Sequence, residues 1–145
     1  MVEDGPINTQ TIEDTLKKLG IKTILKDSSI IRFTSQGNEY WLEYQDAPTI
    51  HLGVAYFMED AFNLELAKKT ADLCNRKYLG VKIIIDDDRW AAIKCMTFAS
   101  GLHALSEALP AMMAYLEEAR LGFLYNYQQN LTANLNLMNL QGMPS

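Results

Sequence analysis

Apolar positions along the chain change period several times, and each change marks the edge of an element. Ile12, Leu16 and Leu19 recur at spacings of four and three, which places them on one face of a short helix. Asn8, Thr9 and Thr11 offer capping oxygens ahead of it, and Gly20 can take the left-handed conformation that stops it. The period then falls to two. Ile31 and Phe33 alternate with Arg32 and Thr34, Gln36-Gly37-Asn38 supplies a turn, and Tyr40, Leu42 and Tyr44 alternate with Trp41 and Glu43. After a break at Asp46-Ala47-Pro48, Ile50, Leu52, Val54 and Tyr56 line one face of a third strand, with His51, Gly53, Ala55 and Phe57 on the other.

From Asp60 the helical period returns, with Phe62, Leu66, Thr70 and Leu73 as its stripe and Lys68, Lys69, Asp72, Asn75 and Arg76 on the polar side. Val81 to Ile85 is a short apolar strand, Asp86-Asp87-Asp88 turns the chain, and Trp90 to Phe98 is the returning strand of a hairpin. A last helix begins between Leu102 and Ser106 and keeps its period to about Tyr125, with Pro110 acceptable if it falls in the first turn. The Asn- and Leu-rich stretch that follows keeps helical spacing at Leu131, Leu135 and Met138, but its asparagines weaken the helix. It is expected to be helical only if something packs on it. The order is therefore α-β-β-β-α-β-β-α: a single α+β domain over residues 1–127, an antiparallel sheet with helices packed against it, and a tail over residues 128–145.

Composition narrows the function classes. Of 145 residues 48% are apolar, enough for a core. Thirteen Lys and Arg against eighteen Asp and Glu leave a net charge of −5, which argues against nucleic acid and against an anionic membrane surface as partners. The opening Met1 to Pro6 is acidic and polar, unlike a signal peptide, and no run approaches the ~20 apolar residues that span a bilayer. Cys74 and Cys95 have no CxxC or histidine spacing and read as reduced core side chains. A cytoplasmic protein is expected.

The segment Glu65-Leu66-Ala67-Lys68-Lys69-Thr70-Ala71-Asp72-Leu73-Cys74-Asn75-Arg76-Lys77-Tyr78, running into Val81-Lys82-Ile83-Ile84-Ile85-Asp86, resembles the helix-to-strand segment of the YbjN family. These are bacterial proteins classed as sensory transduction regulators, with the fold of class I type III secretion chaperones. The resemblance extends to the element order from Thr9 to Tyr125. It implies a small homodimeric protein that binds another polypeptide without doing chemistry, through hydrophobic patches and sheet edges.

Candidate chemistry is sparse. The Asp86-Asp87-Asp88 run lacks the converging donors of a calcium site and reads as a solvated turn. His51 lies mid-strand with no Asp, Ser or Cys at a compelling spacing, His103 sits in or just before the last helix, and the glycines are scattered rather than gathered in a phosphate loop. No catalytic, cofactor or metal residue is assigned, and no cofactor is expected. Gly53, mid-strand, marks either a bulge or a close backbone approach.

The fourteen aromatic residues carry more information. In a sheet covered on one side only, one set faces outward, and a set holding Trp41 and Phe57 is either an interface patch or a scatter of surface aromatics. Met112 and Tyr115 raise the same question for the last helix, where methionine suits either core or an adaptable peptide surface. The expected protein-binding residues are accordingly Trp41, Phe57, Met112 and Tyr115. The expected function is a non-enzymatic, chaperone-like or regulatory module that engages a protein or peptide as a homodimer. The alternative is a small-molecule-binding regulator or an enzyme, with a pocket between sheet and helices near His51 or His103.

Overall fold

Helix α1 (Thr9–Lys18) starts at Asn8, whose side chain accepts from the Thr11 amide while the Thr11 hydroxyl accepts from the Asn8 amide. This reciprocal pairing satisfies two amides that lack helical acceptors. Four strands follow as a meander: β1 (Thr23–Lys26), β2 (Ile30–Ser35), β3 (Asn38–Glu43) and β4 (Thr49–Phe57). Then come α2 (Leu64–Lys77), β5 (Val81–Ile85), β6 (Trp90–Phe98) and α3 (Leu102–Gly142). The computed structural model describes residues 5–27, 29–44, 48–58 and 62–142. The expected break at Asp46-Ala47 and helix onset at Asp60 lie outside the described residues.

All strands join one antiparallel sheet in the order β1-β2-β3-β4-β6-β5. The pairing of Ile50–Phe57 with Trp90–Phe98 is therefore in one sheet, as the expected topology requires. The meander carries one strand more than the three expected. β1 is four residues long and its register shifts between Thr23 and Leu25, so it shows no period in the sequence. The β2–β3 turn uses only Gln36 (φ 52°) and Gly37 (φ 81°), the paired left-handed geometry that matches strand twist. In the β5–β6 turn the Asp86 carboxylate accepts from the Asp88 and Trp90 amides, which gives that acidic run a structural task.

Register fixes the two faces. Across the sheet, Ile31, Leu42, Leu52, Cys95 and Val81 form one row, and Phe33, Tyr40, Val54, Ile93 and Ile83 the next. All ten are buried in the core with Ile12 and Leu16 of α1, Ala67 and Cys74 of α2, and Leu109, Leu116 and Phe123 of α3. The helices thus share one side of the sheet.

Helix α3 departs from expectation twice. Pro110 lies inside it rather than in its first turn. A proline there removes one helical hydrogen bond at a cost of ~3 kcal/mol, but Pro110 is exposed, and the burial of Leu105, Leu109, Leu116 and Ala119 on either side holds the helix. The helix also continues past Tyr125 to Gly142. Buried Tyr127 accepts from the Asn63 amide (3.0 Å), Asn130 donates to the Thr70 hydroxyl (3.3 Å), and Leu131 packs on the core. These contacts with the start and middle of α2 override the weak propensity of the asparagines.

Candidate functional site

The other side of the sheet has none of the core packed on it. Its rows follow from the same register: Arg32, Trp41, Gly53, Lys94 and Lys82 across the middle, Thr34, Glu39, Ala55, Ala92 and Ile84 beside them, then Phe57 with Trp90. At the opposite end His51 pairs with Met96 and Thr49 with Phe98. Apolar side chains stand exposed at both ends: Phe57 (39%), Trp90 (42%), Met96 (53%) and Phe98 (72%). Phe57 and Trp90 face one another with ring centroids 5.0 Å apart. The pair is pre-packed yet open, so it offers rigid apolar area with little rotamer freedom left to lose.

Trp41 sits flatter than its neighbours. Its indole lies over Gly53, so close that a Cβ built there would fall 2.2 Å from ring atom Cζ2. Gly53 is thus a close-approach glycine; its strand pairs in unbroken register on both sides, without a bulge. The Trp41 Nε1 donates to Glu43 (3.0 Å), and the Lys94 ammonium stands 5.8 Å from the ring centroid. Trp41 therefore forms the floor of the middle of this face.

Of the four residues expected from sequence, the structure brings Trp41 and Phe57 onto this face, although not into contact with one another. Met112 and Tyr115 lie in the helical layer, partly buried against the core. The Tyr115 hydroxyl donates to the Leu79 carbonyl (2.9 Å) and its ring meets Tyr78 edge-on. Sequence reasoning did not single out Trp90, Met96 and Phe98. The alternation of buried Ala91, Ile93 and Cys95 within the strand carried that signal, because it sends the even-numbered residues of this stretch outward.

On the helical side, an open cleft of about 460 Å3 lies between the end of α1, the β2–β3 turn and α3, lined by Leu19, Ile21, Gln36, Pro110, Met113 and Glu117 among others. At its edge Glu117 accepts two hydrogen bonds from Arg120 (2.6 and 2.9 Å) and one from Asn38 (3.0 Å). The Arg120 bonds hold the Glu117 carboxyl below its ordinary value, and the same pairing raises Arg120. Neither histidine lines this cleft: His51 is on the outer face, and His103 pairs with Glu107 on α3 (3.2 Å). Burial pushes the Cys95 thiol up to about 11 and raises Cys74 as well, the opposite of what a nucleophilic thiolate needs. Among the described residues, no three His, Cys, Asp or Glu side chains gather as metal ligands. No helix among them is long and apolar enough to cross a membrane.

No family model matches the chain, and no curated protein matches it in sequence. Solved structures do match it in shape. The crystal structure of YbjN from E. coli, named there as a candidate transcription regulator, aligns at a TM-score of 0.64 and 15% identity over 88% of this chain and 97% of that one. This is the YbjN fold. A protein of uncharacterised function from Methanothermobacter thermautotrophicus aligns at 0.62 and 12% identity, over 83% of this chain and 96% of that one. A chain of the HopA1–SchA chaperone–effector complex aligns at 0.48 and 11% identity, over 79% and 98%. At such identities the YbjN likeness concerns the backbone, so the aromatic outer face has to be argued from this chain's own side chains.

Proposed function

We propose that the protein is a non-enzymatic binding module, chaperone-like or regulatory, that works as a cytoplasmic homodimer and engages a partner polypeptide through the outer face of its sheet. One observation carries this reading: the uncovered face bears Phe57 and Trp90 at one end and Met96 and Phe98 at the other, with Trp41 as the floor between. Large exposed apolar groups aligned on one rigid face mark interaction surfaces, whereas single scattered ones do not. Arg32, Lys94 and Lys82 cross the middle of the same face. An apolar segment carrying acidic side chains fits that sequence of surfaces. In this proposal Trp41 and Phe57 belong to the binding face, and Met112 and Tyr115 serve packing.

The test is cross-linking in the native cell followed by mass spectrometry, comparing the wild-type chain with Met96→Ser and Phe98→Ser. Both positions are exposed, so the melting temperature should hold while one specific polypeptide is lost from the captured set. Capture of the same polypeptide at the same yield by both variants would remove the outer face from the proposal.

A second reading, a small-molecule-binding regulator, is favoured by the cleft beside Glu117. Ala114 also lines this cleft, and a metabolite that raises the melting temperature of the wild-type chain but not of Ala114→Trp, which fills it, would support this reading. No shift across a broad metabolite set would eliminate it.

A further inference from the structure

From Leu121 to Ser145 the chain contains no charged residue, although 21% of the whole is charged. The net −5 is thus carried entirely by the first 120 residues. As far as Gly142 this neutral stretch is the second half of α3, and its inward stripe is already used: Phe123 and Tyr127 are buried and Leu131 packs on the core. The outward stripe is equally regular. Leu121, Tyr125, Gln128, Thr132 and Leu135 follow at spacings of four, three, four and three, and all five are exposed. Tyr125 is 63% exposed and the two leucines 50%. Asn139 continues the spacing in the sequence. A repeat of 3.5 residues is the period that keeps a seam facing another helix.

We infer that this stripe is the seam through which two copies of the chain pair, antiparallel, about a two-fold axis at Gln128. The inference rests on the homodimeric reading above and names its surface. Three features select a second copy as the occupant. First, the seam reads nearly the same in both directions: an axis at Gln128 sets Leu121 against Leu135 and Tyr125 against Thr132. An amide both donates and accepts, so Gln128 can pair with itself, as a self-complementary interface requires. Second, two acidic chains meet here without placing like charges together, whereas elsewhere their charges oppose association. A parallel arrangement would set exposed Glu118, one step before Leu121 in the same stripe, against its own copy. The antiparallel one sets it against the uncharged last turns of the second helix. Third, the size fits a weak, reversible dimer. From Leu121 to Leu135 the seam runs ~21 Å at 1.5 Å per residue, and a helix presents a strip ~10 Å wide, so each copy offers ~200 Å2 in projection. That is below the ~800 Å2 per partner of a standard interface and in the class of transient contacts.

The experiment is light scattering of the full chain between ~1 and ~100 µM, the range in which a micromolar dimer dissociates on dilution. Tyr125→Glu and Leu135→Glu should each raise the dissociation constant ~100-fold or more, since each buries two unpaired charges per dimer, while circular dichroism and melting temperature stay as in the monomeric fold. Gln128→Cys should cross-link to itself on mild oxidation. Leu121→Cys should link to Leu135→Cys in a mixture but not to itself; the two native cysteines are buried. A wild-type chain that is monomeric at ~100 µM, well above the expected dissociation constant, would sink both the seam and the homodimer. A wild-type dimer indifferent to both glutamates would overturn the seam alone. A dimer sensitive to them in which Leu121→Cys links to itself would overturn the antiparallel register. A monomeric chain whose seam instead holds a different polypeptide would also overturn the inference.

Discussion

Replacing Gly53 by Ala should destabilise the protein, against the usual direction for glycine within a strand. Gly→Ala in a regular element normally gains ~0.5–1 kcal/mol by restricting the unfolded chain. Here the new methyl would sit 2.2 Å from Trp41 Cζ2, where ordinary contact begins at 3.4 Å, so the indole has to withdraw by more than an ångström. A buried indole covers ~200 Å2. Re-exposing a third of that costs ~1.5 kcal/mol at ~25 cal/mol per Å2. Loss of the Lys94 contact adds ~0.5 kcal/mol, and the hydrogen bond to Glu43 is strained or broken. The net expectation is a loss of ~1–2 kcal/mol, read as a lowered urea midpoint at constant slope. In a Trp90→Phe background Trp41 is the only tryptophan left, and its emission should shift to the red. The decisive comparison is with Trp41→Ala: once the indole is gone, Gly53→Ala should become neutral or stabilising. A Gly53→Ala chain that is more stable than wild type, with unshifted emission, would show that the ring does not rest on the glycine.

Three further outcomes follow from the described contacts. Glu117 has its carboxyl held low by Arg120, so the stability it contributes is present above the ordinary carboxylate range and is lost as pH falls through its folded-state value; the melting temperature of wild type should fall more steeply than that of Glu117→Gln between pH ~6 and ~3, and parallel curves would contradict this. Tyr127→Phe removes the acceptor of the Asn63 amide and should cost ~1 kcal/mol in urea titration; no change would mean that water replaces the bond freely. With Cys95 pushed up to about 11 and both thiols buried, neither cysteine should react with a thiol reagent at neutral pH until denaturant is added, and one rapidly titrating thiol in the native chain would contradict that burial.

How much was legible in the sequence depended on how local each cause is. The strands around Phe33, Leu42 and Leu52 were readable because one buried face imposes a period of two over six or more residues. β1 was not, because four residues with a register shift hold no period. The length of α3 was hidden for a different reason. Its asparagines argue against helix on their own, and what keeps them helical is Asn63 and Thr70, some sixty residues earlier in the chain. The outer face divides the same way. Trp41 and Phe57 could be placed outward from alternation alone. That Trp41 lies on Gly53, and that Phe57 meets Trp90, are facts of cross-strand register, which no local pattern contains.

The β4–β6 ladder has a consequence for how the chain assembles. Every other strand pairing joins neighbours in sequence through a short connection, whereas this one brings Phe57 to Trp90 around α2 and β5. Closing that loop of about thirty residues costs on the order of 3 kcal/mol before any of its nine residue pairs form. The meander with α1 and the β5–β6 hairpin between its helices are thus two locally encoded halves, and their zippering along β4 and β6 is the natural barrier to folding. A chain severed between Met58 and Phe62 should therefore still reassemble from its two fragments, and the rate of that reassembly would report directly on the one step that local sequence does not encode.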